Sequence, residues 1–135
     1  MEKTLPSGAI LEMTMAPFED GHKLLKAVSR EIESTKLASN MQDIDAIKNL
    51  MMRAIYSEEI DRALTPCMAR CKYNKQPVNK NLFADETITE EEKIKRRGDY
   101  LPILKEVLLY NLTPFFSSLG SLLKDLMTAI PNVQK

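Results

Sequence analysis

Residues 99–131 read DYLPILKEVLLYNLTPFFSSLGSLLKDLMTAIP, and the fold turns on how this stretch is read. From Val107 to Leu123 it carries no charge. Taken as helix, it holds two apolar series. Leu104, Leu108, Leu112, Phe115, Leu119, Leu122 and Leu126 recur at steps of three and four, the stripe of an amphipathic helix. Leu109, Phe116, Leu123 and Ile130 recur every seven residues on a second line, roughly 100° further round. One series packs on the rest of the domain. The other needs a partner, or a second wall of the same core. Pro114 lacks an N–H and clashes one turn back, so it kinks the stretch or starts a new helix, for which Thr113 is a suitable N-cap.

The uncharged run falls short of the ~20 residues that a membrane-spanning helix needs. It also holds Asn111, Thr113, Pro114, Gly120 and three serines, so a buried helix pair is expected and no membrane partner. With 135 residues, one domain with its own core is expected. Net charge is zero with 28% charged residues, which gives no electrostatic drive toward nucleic acid. Four glycines, no tryptophan and eight methionines among many Leu, Ile, Lys and Glu favour helices over a sandwich or barrel. Cys67 and Cys71 are four apart, a spacing on one helix that suits no disulfide. The N-terminal residues are polar and interrupted by Pro6 and Gly8, unlike a secretory signal. Free thiols in a reducing cytoplasm are expected.

Outward from that stretch, the chain divides at its turn and cap residues. Residues 1–16 form a β-hairpin: Pro6-Ser7-Gly8 is a turn, and Leu11, Met13 and Met15 alternate with Glu12 and Thr14. A lone hairpin is marginal, so it docks on the helices or joins another subunit's sheet edge. Helix 17–36 starts at Pro17, with Phe18, His22, Leu25, Val28 and Ile32 on one face. Ser39 and Gln42 have capping-box spacing for helix 40–56, whose inner face is Ile44, Ile47, Met51, Ala54 and Ile55. Ser57 caps helix 58–73, where Ile60, Leu64, Cys67 and Cys71 share a stripe; Pro66 bends it or marks its true start. Lys72–Phe83 is a connector rich in Asn and Pro77. Thr89 and Glu92 cap helix 89–98, Gly98 and Asp99 allow a break, and helix 100–130 follows, broken or kinked near Pro114. The tail after Pro131 is polar and expected to fray. The fold class is therefore mainly α: a small helical domain of about five helices with a short N-terminal β-hairpin.

No residue pattern carries catalysis. His22 is the only histidine and has no partner for general-base work. The two cysteines read as small core hydrophobes, and a zinc site would need more ligands than they and His22 supply. Arg70, Lys72, Lys75 and Lys80 around Tyr73 read as a solvated loop. The acidic run Glu90, Glu91 and Glu92 is a solvated helix start. No catalytic, cofactor-binding or metal residue is expected, and the chain reads as a non-enzyme with no cofactor.

The order of several short strings resembles small tail assembly chaperones of long-tailed bacteriophages and prophages. Leu5-Pro6-Ser7-Gly8, Ala16-Pro17-Phe18 followed by Ala27-Val28, and Arg70-Cys71-Lys72-Tyr73-Asn74 followed by Val78 and Phe83 carry it. Asp99-Tyr100-Leu101-Pro102 and Asn111-Leu112-Thr113-Pro114-Phe115 complete it. The resemblance implies a helical protein of the host bacterial cytoplasm, absent from the mature virion. It implies that the chain binds the tape-measure protein, keeps it soluble and helps recruit tail tube subunits. The competing assignment is a structural head–tail connector or tail completion protein, which would stay in the particle. Adaptable methionines and an apolar helix face suit a chaperone of a long helical partner, and homo-oligomer formation would add avidity along it.

On this reading Leu109, Phe116, Leu123 and Ile130 are the partner-binding face. A Phe116→Asp, Leu123→Asp double variant should then lose association while keeping its helix content by circular dichroism. Unfolding of that variant would instead make the two residues core.

Overall fold

The computed structural model describes residues 1–35 and 57–116, with backbone alone at 32–35 and 116. Helix 40–56, the part of helix 100–130 beyond Phe116, and the tail lie outside these residues. So do Leu119, Leu122, Leu123, Leu126 and Ile130. The described chain is predominantly helical, with a small antiparallel sheet. The elements are β1 (Glu2–Thr4), β2 (Ile10–Met13), α1 (Phe18–Thr35), α2 (Glu58–Met68), β3 (Cys71–Tyr73), β4 (Gln76–Pro77), α3 (Lys80–Ala84) and α4 (Glu90–Phe116).

The N-terminal hairpin forms as expected. Gly8 takes a positive φ of 94°, and the Leu5 N–H meets the Ala9 carbonyl at 2.8 Å to close the turn. The hairpin is half of a larger sheet, ordered β1-β2-β3-β4 and antiparallel throughout. Leu11 stands opposite Tyr73 and Met13 opposite Cys71, and all four are buried. The other face of the sheet carries Glu2 opposite Glu12 and Glu12 opposite Lys72.

The second hairpin corrects the expected helix 58–73 and its connector. Ser57 caps α2 as expected, accepting the Ile60 N–H at 3.2 Å, and Ile60, Leu64 and Cys67 are buried. The helix stops at Met68, two residues beyond Pro66, which lies inside it. Cys71 is then a strand residue, buried like the helical stripe whose spacing it continues. Asn74 and Lys75, at φ 46° and 69°, form a two-residue left-handed turn that returns the chain as β4. Asn74 also extends the ladder: its amide donates to the Ile10 carbonyl, and its side-chain oxygen accepts the Ile10 N–H at 2.8 Å. Pro77 is tolerated because β4 is an edge strand.

The expected break at Gly98–Asp99 is absent. α4 runs unbroken from Glu90 to Phe116, so helices 89–98 and 100–130 are joined as far as the described residues reach. Its start matches expectation, with Thr89 Oγ1 accepting the Glu92 N–H at 3.2 Å. Pro102 and Pro114 sit inside it, and having no N–H they offer no donor to the Gly98 and Tyr110 carbonyls one turn back. Thr113 is not a cap: its hydroxyl donates to the Leu109 carbonyl at 2.6 Å. With α3 added and α4 continuous, the described residues hold four helices.

α4 touches every other helix and β2. Ile103, Leu104, Val107, Leu108 and Leu112 on it are buried with Leu24, Ala27 and Val28 of α1 and Ile60, Leu64 and Cys67 of α2. Each leucine, isoleucine or valine among them contributes about 1.5–3 kcal/mol by leaving water. The expected inner face of α1 is rotated: Val28 is buried as expected and His22 and Leu25 are half-buried, but Leu24 and Ala27 are buried as well and Phe18 is 69% exposed.

Three buried polar residues on α4 tie the rest of the chain down. Arg96 donates to the Leu82 carbonyl at 2.9 Å and to Glu92 at 3.1 Å, which anchors α3. Asn111 accepts the Ala16 N–H at 3.0 Å, which fixes the β2–α1 corner. Asp99, 1% exposed, accepts the Ser7 hydroxyl, the Ser7 N–H at 3.4 Å and the Tyr73 hydroxyl at 2.7 Å. Burial, then the Asp99 carboxylate, pushes the Tyr73 phenol up to about 12.

Tyr73→Phe strips one donor from a buried carboxylate. It should lower the unfolding free energy by about 1–3 kcal/mol in urea melts at neutral pH. The folded-state pKa of Tyr73 exceeds its ordinary value of 10.0, so its contribution is complete below pH 10 and disappears as pH rises toward 12. The phenylalanine variant should show a correspondingly flatter stability profile across that interval.

Candidate functional site

Of the four residues expected to bind a partner, Leu109 is the one whose side chain is described. Phe116 ends α4 with only its backbone described, and Leu123 and Ile130 lie outside. Along its described part the leucine stripe closes the core as expected: Leu104, Leu108 and Leu112 are buried and Phe115 is half-buried. Leu109, one step round the helix, is 42% exposed. Leu109, the described member of the second series, therefore faces different surroundings from the leucine stripe.

Leu109 lines an apolar groove of about 350 Å³ whose other walls include Met1, Met13, Met15, Tyr110 and Pro114. Helix and sheet build it together. Met1 and Met13 exchange hydrogen bonds of 3.0 and 2.7 Å, which extends the β1–β2 ladder and sets their side chains beside α4. Met15 lies just past β2, on the segment held by the bond from Ala16 to Asn111, and is 44% exposed. Glu106 is the acid at the groove's rim, held by Lys3 at 3.9 Å and Lys105 at 3.5 Å. Unbranched methionines adapt their shape to what they touch, so the lining suits a variable apolar partner.

Sequence reasoning placed Met13 and Met15 on one strand face but did not bring Met1 and Leu109 to them. The signal was the odd-numbered run of methionines itself. What was missing was the strand register, which pairs Met1 with Met13. Next to this end of α4, Phe18 stacks on His22 at 5.3 Å and meets Phe115 at 5.9 Å. His22 thus lies half-buried beside aromatic rings, as a core-edge residue.

The other polar candidates are dispersed. Among the described residues, no group of three or more His, Cys, Asp or Glu is placed to hold a metal ion. Lys72 and Lys75 are exposed on the second hairpin, while Tyr73 between them is buried on Asp99 and presents no stacking surface. Among the described residues, no helix is long and apolar enough to cross a membrane. Cys67 and Cys71 are free and buried, on α2 and β3. Burial, then Asp20 and the second thiol, pushes Cys67 up to about 11; burial also raises Cys71. Both are held as thiols.

Compared with family models, curated proteins and solved structures, the chain matched none.

Ellman's reagent at pH 8 should modify neither cysteine quickly in the native protein and both at once in denaturant. Stoichiometric labelling of the folded chain within seconds would show that α2 and β3 do not seal them.

Proposed function

We propose that this protein is a non-enzymatic tail assembly chaperone of long-tailed bacteriophages and prophages. It binds the tape-measure protein through an apolar surface, keeps it soluble and helps recruit tail tube subunits. The observation that carries this reading is the methionine-lined groove around Leu109, built where α4 meets the first hairpin. A long helical protein displays apolar stripes until its tube closes around it, and a helix face laid into an apolar groove covers such a stripe. Methionine side chains serve many slightly different stripes along one filament, which a rigid pocket would not. The resemblance of the local strings to such chaperones supplies the identity of the partner. The work takes place in the host bacterial cytoplasm, and the protein leaves before the virion is mature.

Co-expression with the long helical partner should convert that partner from insoluble to soluble. Met15→Asp with Leu109→Asp should abolish the effect at unchanged helix content, because both residues are already exposed. An equally insoluble partner in the presence of the unaltered chain would sink the proposal. Mass spectrometry of purified virions should find no copy of the protein, whereas a connector would be present.

A further inference from the structure

The other half of α4 carries a separate apolar surface. Ile94 is 70% exposed and Leu101 47% exposed, seven residues apart on one face. Gly98 lies between them, and a Cβ built on it would meet nothing within 4 Å. Beside Leu101, a groove of about 530 Å³ opens between α4 and the β1 edge, walled by Pro6, Leu101 and Pro102, with Lys105 also on it. Ile94 projects on one side of Gly98 and the groove opens on the other. Glu91 is exposed seven residues before Gly98, and Lys105 lies seven residues after it with half its side chain exposed.

We infer that this face of α4 pairs antiparallel with the same face of a second copy of the chain, about a two-fold axis at Gly98. In such a pairing, a residue n positions before Gly98 meets the one n positions after it in the second copy. Ile94 then meets Pro102 and enters the groove beside Leu101, whose own counterpart at the same height is Lys95, and the symmetry repeats each contact. Glu91 meets Lys105, twice, with opposite charge, and shares that lysine with its neighbour Glu106. Gly98, having no side chain, lets the two helices approach at the crossing. A parallel arrangement would set Ile94 on Ile94 and Glu91 on Glu91, with both grooves empty. The second copy fits because one exposed face holds a knob, its hole and both members of a charge pair at equal distances from one open glycine. The β1 edge is an unsuitable alternative, since Lys3 points to its helix side and pairs with Glu106, a charged guard on an edge strand.

Sedimentation of the full chain at concentrations up to roughly 100 μM should show a reversible dimer, a micromolar affinity being ample for it. Ile94→Glu should weaken dimerisation by about ten-fold or more. Glu91→Lys and Lys105→Glu should each weaken it, and the two together should restore it. These residues are exposed, so circular dichroism should show native helix content in every variant. A monomer throughout the range, a dimer indifferent to Ile94→Glu, or a double reversal without rescue would each overturn the pairing. Loss of the dimer in Leu109→Asp, with Ile94→Glu silent, would place the contact in the methionine groove instead.

Discussion

The carboxylate of Asp99 is the constraint on which the rest of the structure depends. An ionised carboxylate inside a protein costs several kcal/mol unless hydrogen bonds replace its water. Here the replacement comes from Ser7 and Tyr73, at the tip of the first hairpin and in the second. Both must be in place at once. A one-residue slip of β3 against β2 would turn Tyr73 to the outer face and strand the carboxylate. A break in α4 at Gly98 would swing the carboxylate away from both donors. Strand register and helix continuity are thus conditions on one another. Arg96 and Asn111 repeat the device on the same helix, each gripping a backbone group of a distant segment.

This explains which parts of the fold were legible in the sequence. The caps at Ser57 and Thr89, the turn at Gly8 and the buried leucine stripe are local signals, and local chemistry settles them. In the sequence Gly98 and Asp99 allow a break, because glycine readily follows a helix end. The partners of Asp99 lie 92 and 26 residues away, where no periodicity reveals them. The second hairpin was hidden for another reason. Its strands have three and two residues, and Cys71 falls four after Cys67, as a helical stripe would place it. Two residues with positive φ at Asn74 and Lys75 decide the matter, and lysine is not a residue that advertises that conformation.

The candidate site divides the same way. Exposure of Leu109 beside a buried leucine stripe follows from helical geometry and was visible in the spacing. The methionine walls come from β1, β2 and the β2–α1 corner, and only the Met1–Met13 register and the Asn111 clamp bring them to α4. The groove is therefore a product of the same buried polar contacts that hold the sheet to the helix. Its adaptable side chains stand on an inflexible base, which is what preorganised yet permissive recognition requires.

The continuity of α4 has a consequence of scale. Ile94 and Leu109 are fifteen residues apart on one rod, so about 22 Å separates them along its axis and about 60° around it. A helix interrupted at Gly98 would let these two surfaces pivot. An intact one makes their spacing and angle a fixed dimension of the molecule, as a ruler does. Any array built by joining copies at one surface would present the other at a regular interval, set by the rise of an α-helix rather than by the partner it meets.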